Sequence, residues 1–152
     1  MPSHSEIKVS FLTFTRNEER NIQGVIKNIM GIADEIVVID SFSEDNTVKV
    51  AKQYGAKVYF AKPFGYVEPL RPYGVKKTSY EWILYLDCDE RLNDALRNDL
   101  KELIMEAERQ RAVALIVLRK AIREGIHVKP FDTSLCRIFK KEAVSYKGNI
   151  HE

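Results

Sequence analysis

The sequence predicts a three-layer α/β sandwich with a mostly parallel central sheet. Between residues 7 and 107, short apolar segments of strand length alternate with amphipathic segments of helix length. Residues 35–40 form a nearly continuous apolar run, which is typical of a strand covered on both faces. Acidic or polar residues also follow several of these runs directly. Alternating strands and helices favour helices packed on both faces of one sheet.

The first half of the chain predicts three strands and two helices. Residues 7–14, 35–40 and 57–60 are the strands, and residues 18–30 and 45–54 are the helices. The first helix has its apolar residues on one face, namely Ile22, Val25, Ile26, Ile29 and Met30. A loop rich in proline and glycine, residues 63–74, then leads into a short helix that ends near residue 78.

The second half predicts a buried strand at residues 82–86, an amphipathic helix at 92–107 and a strand at 112–118. Residues 135–139 predict a further strand, and residues 125–128 are a weaker candidate. We expect the last 40 residues to include strands antiparallel to the others. No repeat or linker divides the chain, so we expect one domain over residues 1–152.

The composition is that of an ordinary globular domain. Of 152 residues, 45% are hydrophobic and 30% are charged, which argues against a disordered or fibrous chain. The formal charge is only +2 and the basic residues form no stripe, so a nucleic-acid partner is not expected. Cys88 and Cys136 lie far apart, as in a reducing compartment, and we expect a cytoplasmic location. Without an apolar stretch of about 20 residues, any membrane association would be peripheral.

The most informative motif is Asp87-Cys88-Asp89, which follows the apolar run 82–86. In open α/β sheets the ligand crevice lies beyond the carboxyl ends of the strands. Two carboxylates one residue apart at that place can share a hard cation through their oxygen atoms. The alternative is that both aspartates only cap a turn.

Polar groups also follow the first two strands. Thr15 and Glu18 come after the first, and Asp40 comes after the second. Because parallel strands bring their ends to a common edge, we expect these groups to share one crevice with the acidic motif. The alternative is helix capping, because residues 15–18 and 41–44 both have the capping-box spacing S/T-x-x-E.

Asp40 ends an apolar strand, so its carboxylate must be paired or solvated to avoid a large desolvation cost. A ring N–H or a ribose hydroxyl of a ligand would serve, and so would the backbone amides of Ser43 or Glu44 in an Asx turn. Arg71 lies in the proline-rich loop beside Leu70 and Tyr73, with Phe64 and Tyr66 close in sequence. Its guanidinium could bind a phosphate or could simply be solvated.

Three segments together resemble the family 2 glycosyltransferases, which have the GT-A fold and use nucleotide-diphosphate sugars. The segments are residues 11–19, 38–47 and 82–91. The chain end, residues 137–140 and 146–152, is similar to the subgroup that includes lipopolysaccharide-core glucosyltransferases. The resemblance implies a single GT-A-like catalytic domain at residues 1–152, truncated in its acceptor-binding region. It also implies metal-assisted sugar transfer to an acceptor hydroxyl with inversion.

The resemblance assigns roles to individual residues. Thr15, Glu18 and Asp40 would contact the nucleoside, with Asp40 reaching the base, and Arg71 would approach the diphosphate. Asp87 would hold the ribose or a metal-bound water.

At the metal end, the resemblance makes Asp89 a ligand of Mg²⁺ or Mn²⁺ and Asp87 a second acidic contact. Glu152 would be the catalytic base, and His151 would add a late metal or phosphate contact. The implied partners are a nucleotide-diphosphate sugar donor and a glycan or lipid-linked acceptor. The implied setting is cell-envelope polysaccharide biosynthesis at the inner face of the membrane.

The chain also departs from the family pattern. Phe42 and Asn46 stand where relatives commonly have glycine. Asn46 tolerates positive φ, whereas Phe42 is expected to resist it, so we expect a different turn after Asp40.

Two other functional classes compete with sugar transfer. Sugar nucleotidyltransferases usually have a glycine-rich basic loop after the first strand, whereas residues 14–19 contain no glycine and two acids. A nucleotide-sugar-binding module without transfer activity is the non-enzyme alternative. A receiver-like domain is a weaker variant, because no strand-end lysine follows the fourth strand.

Overall fold

The computed structural model describes residues 6–63 and 68–143. Its strands are β1 (Val9–Thr15), β2 (Glu35–Asp40), β3 (Lys57–Phe60), β4 (Trp82–Tyr85), β5 (Ala114–Arg119), β6 (Ile122–Arg123), β7 (Ile126–His127) and β8 (Thr133–Lys140). Its α-helices are α1 (Glu19–Ile29), α2 (Thr47–Gln53), α3 (Arg71–Lys77) and α4 (Asp94–Arg109). Two short 3₁₀ helices lie at Glu68–Leu70 and Lys129–Phe131.

Six strands form one sheet in the order β3-β2-β1-β4-β8-β5. The pairs among β1 to β4 are parallel, whereas β8 runs antiparallel between β4 and β5. The predicted mostly parallel α/β fold with an antiparallel tail is therefore confirmed. The weak candidate at residues 125–128 contributes β7, which pairs only with β6 in a separate hairpin.

Helices cover both faces of the sheet. Buried residues of α1, α2 and α4 pack on one face, and these include Ile26, Ala51 and Leu100. On the other face, Val75 of α3 packs against side chains of β1, β2 and β4. Alternate strand residues supply the two cores because successive side chains of a strand point to opposite faces.

Helix α3 lies very close to β1, and a glycine makes this possible. A Cβ atom added at Gly74 would lie 2.8 Å from Cζ of Phe14, closer than real Cβ contacts allow. The close approach sets Arg71, the first residue of α3, beside the carboxyl end of the sheet.

Across residues 6–63 and 68–143, each helix is too short or too polar to cross a bilayer.

Candidate functional site

The ends of β1 and β2 are joined by a buried hydrogen bond. Thr15 and Asp40 are register partners in the parallel pair, and the Thr15 hydroxyl donates to Oδ1 of Asp40 at 2.6 Å. Asp40 is fully buried and Thr15 nearly so. Two of the three residues predicted to contact a nucleoside therefore form one unit at the sheet edge.

Ser43 completes the pairing of Asp40. Its amide donates to Oδ2 of Asp40 at 2.8 Å, and its hydroxyl donates to Oδ1 at 2.6 Å. This is the Asx-type turn that the sequence left as an alternative. The capping alternative fails in both places, because α1 has no side-chain cap and α2 begins only at Thr47. The Thr15 hydroxyl is already committed to Asp40.

In the turn after Asp40, Phe42 has a left-handed backbone conformation, which the sequence did not predict for this residue. Phe42 adopts φ +56°, whereas Asn46 has φ −80°, so the expectation that Phe42 would resist positive φ is wrong. The Phe42 ring stacks on Phe60 with 5.5 Å between ring centroids. This contact offsets part of the strain, since stacked aromatic pairs contribute about 1 kcal/mol beyond burial.

Glu18 and Asn17 connect the first loop to the second. The Asn17 amide donates to the Ser43 hydroxyl at 2.8 Å, and the Glu18 amide donates to the Thr47 hydroxyl at 2.8 Å. The Glu18 carboxylate is half-buried and accepts from the Asn21 side chain at 2.9 Å. The loops after β1 and β2 thus form one hydrogen-bonded surface.

The acidic turn lies beside β1, as the strand order requires. The Cys88 thiol is buried, 3.5 Å from the Thr13 hydroxyl and 3.8 Å from the Phe14 carbonyl oxygen. Burial raises the pKa of Cys88 to about 12, so the thiol stays protonated and contributes packing. It faces the core while Asp89 is exposed, which confirms that the cysteine and the aspartates point apart.

Asp87 is held by three neighbours. Tyr85 donates its hydroxyl to Oδ1, and Arg137 donates to Oδ2 at 3.0 Å. Glu90 accepts from the Asp87 amide at 3.0 Å and from Arg137 at 2.7 Å. One guanidinium therefore pairs with two carboxylates of the acidic turn.

Two guanidinium groups contact the Tyr85 ring. Cζ of Arg71 is 4.8 Å from the ring centroid, and Cζ of Arg137 is 4.6 Å from it. Burial and the neighbouring Asp87 raise the pKa of Tyr85, so its hydroxyl remains a donor. Arg71 is a helix residue that packs on Tyr85, which corrects its predicted place in a proline-rich loop. Of the aromatic neighbours expected there, Phe64 and Tyr66 lie outside the described residues.

Arg137 is the site residue that sequence reasoning missed. It is 7% exposed, and Nε, although buried, has no hydrogen-bond partner among the described residues. Burial would lower its pKa, but Glu90 and Asp87 outweigh that effect and raise it. The one available signal was an arginine in an otherwise apolar strand, Leu135 to Phe139.

Asp89 has the properties of a ligand for a hard cation. Its carboxylate is exposed and makes no hydrogen bond or ion pair within residues 6–63 and 68–143. The same residues contain no cluster of three acidic, histidine or cysteine side chains at metal-binding distances. This donor set fits Mg²⁺ or Mn²⁺, which bind through one or two carboxylates and complete their shells with phosphate oxygens and water.

The remaining predicted site residues, His151 and Glu152, lie outside the described residues. Five of the predicted site residues within the described parts of the chain do come together at or beside the carboxyl ends of β1, β2 and β4. They are Thr15, Asp40, Arg71, Asp87 and Asp89.

Comparison with known proteins identifies the family of the chain. The sequence pattern of "Glycosyl transferase family 2" matches residues 10–151, nearly the whole chain. The chain belongs to glycosyl transferase family 2. An uncharacterized glycosyltransferase of Rickettsia bellii is 31% identical over 149 residues, covering 95% of this chain and 50% of the relative. This family member thus spans about half the length of the curated relatives that it matches.

Solved structures show the same fold. Staphylococcus aureus TarS 1-349 in complex with UDP superposes with a TM-score of 0.61 at 20% identity, covering 80% of this chain and 38% of that one. The mannosyltransferase PcManGT from Pyrobaculum calidifontis, in complex with GDP-Man and Mn²⁺, gives a TM-score of 0.52 at 22% identity. That match covers 63% of this chain and 32% of the other.

Proposed function

We propose that this chain is the catalytic domain of a glycosyltransferase that moves a sugar from a nucleotide-diphosphate sugar to an acceptor hydroxyl with inversion. Family membership supports transferase chemistry. The observation that carries the proposal is the convergence of Thr15, Asp40, Asp87 and Asp89 at one edge of the parallel sheet. In open α/β sheets this edge is where ligands bind.

On this proposal, Thr15, Glu18 and Asp40 hold the nucleoside. Oδ2 of Asp40 receives one hydrogen bond from the described residues and has a second lone pair for an N–H of the base. Because Asp40 is fully buried, the base reaches it when the turn carrying Phe42 and Ser43 moves aside. Two solved relatives by fold hold UDP and GDP-Man, which supports a nucleoside diphosphate as the ligand class.

Arg71 and Asp89 serve the diphosphate. The Arg71 guanidinium is fixed against Tyr85 at the sheet edge, where it would stabilise charge that develops on the leaving group. Asp89, with Asp87 beside it, would hold Mg²⁺ or Mn²⁺. The bound cation would neutralise the same leaving-group charge. The presence of Mn²⁺ in PcManGT supports this choice of ion.

The acceptor side is proposed from the resemblance alone. Glu152 is the proposed base that takes the acceptor proton, and His151 is proposed to contact the metal or a phosphate. The proposed acceptor is a glycan or lipid-linked sugar of the cell envelope, as for lipopolysaccharide-core glucosyltransferases, and the proposed place is the cytoplasmic face of the membrane. If Glu152 is the base, Glu152→Gln abolishes transfer while nucleotide binding survives.

A thermal-shift panel tests the donor proposal. UDP, GDP, CDP, ADP and dTDP are each added with and without Mn²⁺, to the wild type and to Asp89→Asn. We expect one nucleotide to raise the melting temperature in a Mn²⁺-dependent way, and the Mn²⁺ dependence to disappear in the variant. If no nucleotide raises the melting temperature, the proposed donor site is rejected. Nucleotide binding without sugar-nucleotide turnover would reject catalysis and favour a binding module.

A further inference from the structure

A groove of about 750 Å³ opens on the other side of the acidic turn from the predicted nucleoside contacts. We call it the basic groove. Its walls are the acidic turn and the start of α4, the end of β5 with the following hairpin, and Arg137 of β8. Both Asp89 and Glu90 line it.

The charge of this groove is strongly positive. Its cationic lining residues outnumber the two carboxylates and are Arg91, Arg119, Lys120, Arg123 and Arg137. The chain as a whole carries a formal charge of only +2, so the groove concentrates positive charge well beyond the average surface. A cleft lined by one sign of charge attracts ligands of the opposite sign.

Two of these cations are already used by the protein. Arg137 binds Asp87 and Glu90, and Arg91 donates to the backbone carbonyls of Cys88, Glu90 and Asn21. They shape the groove wall.

The other three cations are free to bind a ligand. Arg119 is exposed and reaches Glu90 only at 4.0 Å. Lys120 and Arg123 are exposed and make no hydrogen bond or ion pair within the described parts of the chain. Asp132, which lies near Lys120, is occupied by His127 and by the Ala121 amide.

The strand order determines where the groove lies relative to the nucleoside contacts and the acidic turn. The nucleoside contacts follow β1 and β2, the acidic turn follows β4, and the groove is lined by β8 and β5 on the far side of β4. Because β5 runs antiparallel to β8, it runs parallel to β4, and its carboxyl end lies at the same edge of the sheet. A sugar bound at Asp89 would thus have the nucleoside on one side and the groove on the other.

We propose that the basic groove binds an acceptor that carries a phosphate or carboxylate group, held by Arg119, Lys120 and Arg123. This inference rests on the proposed sugar transfer and names the chemical class of its acceptor. Arginine forks bind both kinds of anion in bidentate fashion. Exposed apolar side chains of Ile122 and Phe131 also line the groove and offer surface to the C–H face of a sugar ring.

Saturation-transfer NMR on the purified chain tests this with three probes: glucose 6-phosphate, glucuronate and glucose. The groove variant is Arg119→Gln/Lys120→Gln/Arg123→Gln. The matched control, Lys27→Gln/Lys49→Gln/Lys52→Gln, removes three exposed charges from α1 and α2. A further comparison is Arg71→Gln, because a phosphate could also bind on the diphosphate side.

We expect at least one anionic probe to bind in preference to glucose, and its affinity to fall about tenfold in the groove variant for three exposed ion pairs. The affinity should be unchanged in the control and in Arg71→Gln. Preference for glucose 6-phosphate identifies phosphate as the recognised group, and preference for glucuronate identifies carboxylate. Equal binding of glucose, or loss of binding only in Arg71→Gln, would overturn the proposal.

The nucleotide panel separates this inference from the donor proposal. The groove variant should keep the nucleotide-dependent thermal shift of the wild type, because Asp40 and Thr15 lie beyond β4 from the groove. If an anionic probe binds in the groove but no nucleotide raises the melting temperature, sugar transfer is rejected and the groove is only an anion-binding site. If a nucleotide raises the melting temperature but no anionic probe binds, only the proposal for the basic groove is rejected.

Discussion

Strand β2 begins and ends with a buried carboxylate, and the two ends differ in how the charge is held. Glu35, at the amino end, accepts hydrogen bonds from Ser10, Ser79 and the Lys57 ammonium, all within 2.8 Å. Asp40, at the carboxyl end, accepts only from the neutral groups of Thr15 and Ser43 among the described residues.

This difference indicates a structural role for Glu35 and supports the proposed ligand-binding role of Asp40. Glu35 is bound by a cation and by donors from three different segments, so it joins β1, β3 and the loop before β4. Asp40 is paired only with Thr15 of β1 and with the local turn at Ser43 among the described residues, and a ligand can displace that turn at much smaller cost. Buried carboxylates at both ends of a strand can therefore have unrelated roles, and their partners distinguish them.

The largest expected effect comes from Asp40→Asn. The asparagine keeps the size of the side chain but removes the charge that would accept the base N–H, so the affinity for the preferred nucleotide should fall about thirtyfold. Isothermal titration with that nucleotide and Mn²⁺ measures it. Unchanged affinity would remove Asp40 from the nucleotide site.

Glu35→Gln provides the counterpart on the same strand. The amide cannot neutralise Lys57 and presents a donor toward Ser79, so the free energy of unfolding should drop by about 1.5 kcal/mol. Urea unfolding measures this. Nucleotide affinity should stay at the wild-type value, and a loss comparable with that of Asp40→Asn would contradict the separation of roles.

The stability that Glu35 contributes should depend on pH under acidic conditions. Burial alone would raise its pKa, but hydrogen bonds from Lys57, Ser10 and Ser79 lower the pKa to about 2, below the usual 4.5. Because the pKa is lower in the folded state, Glu35 stabilises the fold above pH 4.5, and that contribution disappears as the pH falls toward 2. The stability gap between wild type and Glu35→Gln should therefore be constant at neutral pH and narrow below pH 4.5. A gap independent of pH would contradict this.

The smallest expected effect is at Phe42, beside Asp40. Phe42→Gly relieves the left-handed strain and loses the Phe60 stack, so the two terms nearly cancel and stability should change by less than about 0.5 kcal/mol. Phe42→Ala loses the stack and keeps the strain, and should cost about 1 kcal/mol. Thermal melts of both variants measure the difference. Equal destabilisation would show that the strain is negligible.

Much of the fold was predictable because it depends on local patterns. The continuous apolar run before Asp40 indicated a strand buried on both faces, and the spacing of Ile22 to Ile29 indicated the buried face of α1. The common edge of Thr15, Asp40 and Asp87 followed from the geometry of parallel strands alone. The three motifs also matched the family that the whole-chain comparison confirmed.

The rest depends on contacts that no local pattern encodes. Arg137 meets Asp87 across 50 positions of sequence, through an antiparallel strand whose register the sequence does not specify. The capping boxes were wrong because Thr15 is the last residue of β1 and donates to Asp40, and because α2 begins only at Thr47, beyond the second box. The turn at Phe42 was misjudged because its compensating partner, Phe60, lies at the end of β3, far from the turn in sequence.

The position of β8 has a consequence for synthesis on the ribosome. Strand β8 is inserted between β4 and β5, yet it leaves the ribosome after both of them. Until it emerges, each of those two strands has an unpaired edge, and unpaired edges are prone to intermolecular association. The nascent chain also carries Asp87 and Glu90 without their shared arginine until β8 emerges, so the acidic turn acquires these two ion pairs only after the rest of the described sheet has been synthesised.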